Sequence, residues 1–77
     1  MQKKNLVGAQ IRTVRKHSNP IVTQIDLVAR LETQGISITQ SALSKIEHGI
    51  RPVSDLEVQE FAKALKVTVA WLYNEKE

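Results

Sequence analysis

Residues 41–52 read SALSKIEHGIRP, and this stretch decides how the chain folds. Thr39 predicts the start of a short helix and Gly49 its end, because threonine is a frequent N-cap and glycine commonly follows a helix C-terminus. Leu43 and Ile46 give this helix one apolar side. The other side carries short or medium polar side chains, none of them acidic: Gln40, Ser41, Ser44, Lys45 and His48. Such a helix is suited to the major groove of DNA, where these groups can contact base edges.

The rest of the chain predicts four more helices and no strand, because apolar residues recur three or four positions apart and a capping residue precedes each run. The first helix is expected to reach Lys16 or His17, and the second about Gln34. The expected caps of these four helices are Asn5, Thr23, Ser54 (in a capping box with Glu57) and Thr68. The residues expected to face the core are Val7, Ile11, Val14, Leu27, Val28, Leu31, Leu43, Ile46, Leu56, Phe61, Ala62, Leu65, Val69, Trp71, Leu72 and Tyr73. An all-α, compact five-helix domain is predicted.

Glycine and proline mark the boundaries of the early helices. Asn19-Pro20 is expected to end the first helix, because the residue before a proline disfavours the α region. Gly35 is expected to stop the second helix. Gly8 lies inside the first helix, where it lowers helix propensity, and we interpret it as a site of close contact between helices.

The composition is that of one small domain. The chain has 77 residues, 42% of them hydrophobic, and no cysteine, which excludes disulfides and thiolate metal sites. Apolar runs are only a few residues long, and no signal-peptide pattern is present. We therefore expect a single cytoplasmic domain over residues 1–77, with a core of about residues 6–73.

Charge is distributed unevenly along the chain. The net charge of +3 arises from +5 over residues 1–51 and −2 over residues 52–77. A basic front and an acidic tail indicate one side that faces a polyanion and another that is solvated or faces a partner. The imbalance is modest, and ordinary scatter in a small protein would also produce it.

Catalysis is not indicated by any group of residues. Ser44 and His48 are four residues apart on one helix face, but such pairs are common by chance and no third, orienting group accompanies them. His17 and His48 are the only histidines, which makes a poor metal site without cysteine. The three glycines are too scattered for a phosphate-binding loop. We predict no enzyme activity, no metal and no cofactor.

The aromatic residues and the first two lysines are not predicted to bind nucleic acid. Phe61, Trp71 and Tyr73 lie away from the basic residues, so they are expected in the core rather than as stacking platforms for single-stranded nucleic acid. Trp71 or Tyr73 is also available for a subunit contact. Lys3 and Lys4 would suit an arm that reaches DNA, but a solvated charge pair is the favoured interpretation.

In their order, these segments resemble the Cro/phage-repressor type of helix-turn-helix regulators, the xenobiotic-response-element family. The matching pieces are IRxxRK at 11–16, VTQxxL at 22–27, SxLSKIExG at 41–49, RP at 51–52 and FAKALxVxVxWL at 61–72. The resemblance covers roughly residues 6–73. It implies a lambda-repressor-like fold with the helix-turn-helix motif at helices 2 and 3.

The chain departs from the family pattern at three places. Asn19-Pro20 looks like an extra pair between helices 1 and 2. Between Leu31 and Ile38 the chain has about five residues more than the usual tight turn, and roughly one further turn of helix 2 plus a looser connection would absorb them. Val28 stands where the family usually has a small residue near the middle of helix 2.

The resemblance also implies roles for individual polar residues. The positions that match the base-reading residues are Gln40, Ser41, Ser44 and Lys45. The candidates for DNA phosphate contacts are Gln24, Thr39, His48 and Arg51. The amides at the start of helix 2 would assist Gln24 in this role.

Glu47 is the one acidic residue on the third helix, and a carboxylate facing DNA would repel phosphate. The family pattern has an arginine near the end of helix 1 within reach of this acid, and Arg15 matches it. We therefore expect a partly buried, structural ion pair between Arg15 and Glu47.

Together these observations predict a sequence-specific, double-stranded DNA-binding transcriptional regulator, expected to be a repressor. Helix 3, at about residues 39–48, would read the major groove. The protein would act as a homodimer on a two-fold-related operator, with a dimer contact at helix 5 through Val69, Trp71 or Tyr73.

The alternative is a protein-interaction or antitoxin-like module of the same fold, for which DNA binding is secondary. It rests on the long connection between helices 2 and 3 and on four aliphatic residues that are candidates for exposure. Clustered exposed aliphatic residues mark interfaces. These candidates are Ile21, Ile25, Ile36 and Ile50.

Overall fold

The computed structural model describes residues 3–74, and over that range it contains five α-helices and no strand. The helices are α1 (Gly8–His17), α2 (Gln24–Thr33), α3 (Gln40–Glu47), α4 (Asp55–Leu65) and α5 (Val69–Leu72). The predicted all-α, five-helix architecture is therefore confirmed. α3 packs against both α1 and α2, while α4 packs against α1, α2 and α5. None of the helices in the described range is long and apolar enough to cross a membrane.

Side-chain caps begin four of the helices at the residues that the sequence indicated. In each case a hydroxyl accepts a hydrogen bond from the backbone amide three residues later, at Thr23, Thr39, Ser54 and Thr68. Ser54 and Glu57 form the predicted capping box, and Asp26 completes a second one with Thr23. These bonds satisfy amides that have no partner within the helix.

α1 begins later than its predicted cap. The helix starts at Gly8, and Val7 precedes it without a side-chain cap. The Asn5 Oδ1 atom nevertheless accepts hydrogen bonds from the amides of Val7 (3.1 Å) and Gly8 (2.7 Å). Asn5 thus supplies the acceptor that the sequence predicted, but from one turn before the helix.

One hydrophobic core contacts all five helices. Its largest fully buried side chains are Val7, Ile11, Leu27, Leu31, Leu43, Ile46, Phe61 and Leu72. Val14 and Val28 pack against this cluster from half-buried positions. The helical spacing of the apolar residues therefore predicted most of the core.

Four core predictions are wrong. Leu56 is 67% exposed, because the inward face of α4 is set by Val58, Phe61 and the residues that follow at helical spacing, and Leu56 lies on the opposite side. Trp71 is 50% exposed, and Val69 and Tyr73 also reach solvent. α5 is only four residues long, and of these only Leu72 is fully buried in the core.

The connection between α2 and α3 runs from Gln34 to Thr39, since α2 ends at Thr33, close to the predicted end at Gln34. Gly35 adopts a φ of 89°, and the Ile36 amide bonds to the Leu31 carbonyl at 2.9 Å, which closes α2 in a Schellman motif. Gln34 Nε2 donates to the Glu60 carbonyl at 2.9 Å, which ties this end of α2 to α4. The start of the connection is thereby held against α4.

Gly8 lies where α1 crosses the end of α3. A Cβ atom at this position would overlap the Ile46 carbonyl oxygen and lie 2.9 Å from the Ile46 carbonyl carbon. The clash is with backbone, which cannot rotate away as a side chain can. The interpretation of Gly8 as a close contact between helices is confirmed.

We predict that Gly8→Ala destabilises the domain by about 1–3 kcal/mol, the usual cost of overpacking. Helix propensity alone would favour alanine by up to about 1 kcal/mol, so the two effects have opposite signs. Urea unfolding of the parent and the variant measures the difference. Ala9→Gly, at the exposed neighbouring position, reports the propensity effect alone, and a Gly8→Ala variant at least as stable as the parent would contradict the packing argument.

Candidate nucleic-acid interface

An open depression lies beside α3. Its lining consists of Gln24 from the start of α2 and, from α3, Gln40, Ser41, Ser44 and Lys45. The structure therefore brings all four predicted base-reading residues and one predicted phosphate contact onto one surface. Hydroxyl, amide and ammonium groups at this surface are the types that contact base edges and phosphates.

The two faces of α3 are clearly separated. Leu43 and Ile46 are completely buried, whereas the α3 residues that line the depression are exposed or half-buried. The helix ends at Glu47 and is followed by the C-cap His48. Gly49 then adopts a φ of 75°, and the Ile50 amide donates to the Lys45 carbonyl at 2.8 Å. This second Schellman motif turns the chain away and fixes the length of the polar face.

Arg15 and Glu47 form a bidentate ion pair beneath this surface. Arg15 Nε and Nη2 each donate to a Glu47 carboxylate oxygen at 2.9 Å, and the Glu47 side chain is 1% exposed. Arg15 Nη1 also donates to the Val22 carbonyl at 3.2 Å. The predicted pairing thus joins α1, the segment before α2 and α3, and it holds the acid of α3 away from the polar face.

Gln24 connects the ion pair to the surface. Its Nε2 atom donates to Glu47 Oε1 at 3.1 Å, and its Oε1 atom accepts a longer bond from Gln40 Nε2 at 3.4 Å. Because Glu47 can only accept, it determines which end of the Gln24 amide faces inward. The orientation of Gln24 therefore depends on the buried pair.

Thr39 and His48 lie at the two ends of α3, and both are exposed. Thr39 caps the helix through its hydroxyl. His48 Nδ1 donates to the Ser44 backbone carbonyl at 2.7 Å, so this ring nitrogen bonds to the backbone and not to the serine hydroxyl. Within residues 3–74, no three histidine, aspartate or glutamate side chains come together as potential metal ligands.

Arg51, predicted to contact phosphate, is paired with an acid of its own. Its Nη2 and Nη1 atoms donate to the two Glu57 carboxylate oxygens at 3.1 and 3.3 Å. Partial burial raises the pKa of Glu57, but the bonds from Arg51 and Ser54 and the arginine charge outweigh it and hold the pKa below its ordinary value of 4.5. Glu57 also completes the α4 capping box, so it has two structural roles at once.

Lys3 and Lys4 belong to a segment that sequence reasoning did not place. The Lys4 amide donates to the Gly49 carbonyl at 2.8 Å. Asn5 Nδ2 donates to the carbonyls of Ile46 (3.0 Å) and Arg51 (2.8 Å). We call residues 3–5 the N-terminal strap. It crosses the C-terminal end of α3, a contact between residues more than 40 positions apart that leaves no local sequence signal.

The exposed aliphatic residues are only partly as expected. Ile21, Ile25 and Ile50 are each more than half exposed. Ile36 is half-buried and packs against the core, because the Schellman turn at the end of α2 directs it there. The described surface therefore does carry apolar side chains next to α2, but fewer than the sequence indicated.

The fold and this surface define a helix-turn-helix DNA-binding domain. The model of the helix-turn-helix family HTH_3 matches residues 23–72, and the chain belongs to this family of Cro/C1-type DNA-binding regulators. No match was found among curated proteins or among solved structures. The matched segment contains α2, α3, α4 and α5 and begins at the Thr23 cap.

We predict that removal of one partner of the buried ion pair destabilises the domain by about 3–5 kcal/mol, because the other charge stays buried without compensation. Glu47→Gln and Arg15→Met test this prediction by urea unfolding. The control is Arg12→Met, an exposed position of α1, where a destabilisation of no more than about 1 kcal/mol is expected. Equal stabilities of the parent and both core variants would contradict a structural role.

We also predict that Glu57 contributes to the loss of stability in acid. Its folded-state pKa lies below the ordinary value of 4.5, so its contribution is complete above that pH and is lost as the pH falls through the lowered folded value. Unfolding midpoints measured from neutral pH down to about pH 3 should fall less steeply for Glu57→Gln than for the parent. Glu32→Gln, at an exposed position of α2, should keep the parent slope; an unchanged slope in Glu57→Gln would disprove the assignment.

Proposed function

We propose that this protein is a sequence-specific transcriptional repressor that reads the major groove of double-stranded DNA with α3. One observation carries the proposal: the polar face of α3 is open, while the single acid of the helix is held inward by Arg15. A groove-facing surface without a carboxylate meets the negative potential of DNA without repulsion. Binding across a promoter would exclude polymerase and so repress transcription.

Base reading falls to the α3 residues of the depression. Gln40 can bond bidentately to adenine, and Lys45 can donate to guanine O6 and N7. Ser41 and Ser44 are short enough to let the helix approach base edges closely. Gln40 donates to Gln24 at 3.4 Å, a bond that a base edge can replace.

The proposed phosphate contacts surround this set. Gln24 and Thr39 lie at the starts of α2 and α3, where backbone amides and the helix dipole favour an anion. His48 and Arg51 lie at the other end of α3. Arg51 brings Glu57 as its counter-ion, so it is expected to add less to the salt dependence of binding than a free cation would.

A homodimer on a two-fold-related operator completes the proposal. One small module buries about 600–1,000 Å² of surface on DNA, whereas specific complexes reach about 1,000–2,500 Å². Two copies of this domain would supply the difference. The exposed Trp71 and the neighbouring Val69 and Tyr73 favour α5 as the contact between the copies, since exposed aromatic residues are enriched at interfaces.

The second candidate function is a protein-interaction or antitoxin-like module. Ile21, in the segment before α2, and Ile25, in its first turn, favour it, because both residues are more than 60% exposed. Binding of a protein partner there would be insensitive to salt. Binding to duplex DNA would weaken steeply as salt is added, which separates the two functions.

We predict that Gln40→Ala and Lys45→Ala change the base preference of the protein. Each should reduce discrimination at particular base pairs, by about 1–3 kcal/mol for a good bidentate contact. Selection of bound duplexes from a random pool, followed by sequencing, measures the preference of the parent and of each variant.

Matched controls for this experiment lie on α4. Gln59→Ala and Lys63→Ala remove the same side chains from exposed positions of that helix, which packs against α1, α2 and α5. They should select the parent's sequences. If folded Gln40→Ala and Lys45→Ala proteins also select the parent's sequences, α3 does not read bases; if the parent selects no sequence, the repressor proposal itself fails.

A further inference from the structure

The N-terminal strap places two lysines at the C-terminal end of α3. Its position is fixed by three hydrogen bonds to carbonyls in and after that helix, from the Lys4 amide and from Asn5 Nδ2. The other polar atom of the Asn5 side chain, Oδ1, accepts hydrogen bonds from the backbone amides of Val7 and Gly8, where α1 begins. Asn5 therefore uses its whole amide group to hold the strap between α1 and α3.

The stem of Lys3 lies directly over Gly49. A Cβ atom on Gly49 would lie 3.1–3.3 Å from three carbons of the Lys3 side chain. Gly49 is buried under this stem, although the glycine ends a surface helix, while Lys3 and Lys4 themselves are exposed. The apolar stem of Lys3 thus packs on Gly49, while the residue stays largely exposed to solvent, as is usual for lysine on a protein surface.

Basic residues near the C-terminal end of α3 include Lys3, Lys4 and Arg51. Arg51 lies in the same region, since its carbonyl accepts a bond from Asn5, but its guanidinium is neutralised by Glu57. The ammonium groups of Lys3 and Lys4 have no comparable ion pair within residues 3–74. Cations near a helix C-terminus are also favoured by the helix dipole. Apart from Lys45, which lines the depression, the net positive charge here therefore comes from the strap.

The length of α3 determines which part of the DNA Lys3 and Lys4 can reach. An eight-residue helix such as α3 is about 12 Å long, and the major groove is about 12 Å wide. When such a helix spans the groove from edge to edge, groups docked at its end lie near the phosphates that border the groove and not near the bases inside it. At the other end of α3, Gln40 donates to Gln24, whose amide also donates to Glu47.

We propose, on the basis of the function proposed above, that the strap is part of the DNA interface, with Lys3 and Lys4 binding backbone phosphates at the C-terminal end of α3. Arg51, which is paired with Glu57, contributes less to phosphate binding there than the two lysines. The strap adds affinity without sequence information, because phosphates are the same at every base pair.

The test is the salt dependence of binding to a random-sequence duplex, with the 77-residue chain and Lys3→Gln/Lys4→Gln. The slope of log affinity against log salt should decrease by about 0.9 for each phosphate that the variant no longer neutralises. Base preference in the selection experiment should stay that of the parent. The variant should fold normally, because the bond from Lys4 to Gly49 comes from the backbone amide.

Two controls separate the local effect from net charge and from damage to the fold. Lys63→Gln/Lys66→Gln removes two exposed charges at the end of α4 and should keep the parent slope. Lys3→Arg/Lys4→Arg keeps the charges and should also keep the slope.

The outcomes are distinct for the two proposals. A parent that binds with a steep slope, together with an unchanged slope in Lys3→Gln/Lys4→Gln, overturns the strap interface and leaves the repressor proposal standing. An equal decrease in the α4 control, or a decrease in the arginine variant, also overturns it. A parent that shows no salt-dependent duplex binding overturns both proposals.

Discussion

Burying a carboxylate and a guanidinium is unfavourable unless each is neutralised and its remaining hydrogen-bonding groups find partners. In this domain both conditions are met where α1, α3 and the segment before α2 meet. Arg15 neutralises Glu47 and bonds the Val22 carbonyl, while Gln24 provides a further donor to Glu47. No buried polar side-chain atom in residues 3–74 lacks a partner. The pair therefore fixes the three segments relative to one another, and it keeps the only acid of α3 away from the proposed DNA surface.

A second constraint acts on the same, C-terminal end of α3, at the neighbouring residue Ile46. Gly8 allows the α1 backbone to approach the Ile46 carbonyl, and this approach brings Asn5 close enough to bond that same carbonyl. The helix is thus held by Gln24 and the ion pair on one side and by the N-terminal strap on the other. An eight-residue helix has little stability in isolation. These tertiary contacts, with the two buried aliphatic residues, are what give its polar face a definite position.

The distribution of charge follows from the same contacts. Of the basic residues around α3, Arg15 and Arg51 are committed to acids of the domain, whereas Lys45 and the strap lysines face solvent. A count of basic residues in the sequence does not distinguish those paired with an acid from those that face solvent. For recognition of DNA the difference matters, because only a cation that is not already neutralised releases a full counterion from the phosphate backbone.

Local rules were enough for much of this structure. Caps at Thr23, Thr39, Ser54 and Thr68 depend on bonds over three residues, and the apolar spacing of α3 depends on helix geometry, so both could be predicted from the sequence, as could the polar residues beside α3. The pairing of Arg15 with Glu47 followed from the family resemblance. Leu56 and Trp71 were misplaced because the direction in which α4 and α5 face is set by packing. Arg51 and Glu57 are six residues apart, but their pairing depends on the direction in which the linker enters α4. The strap joins residues more than 40 positions apart, which leaves no local signature, and only the tertiary structure decided it.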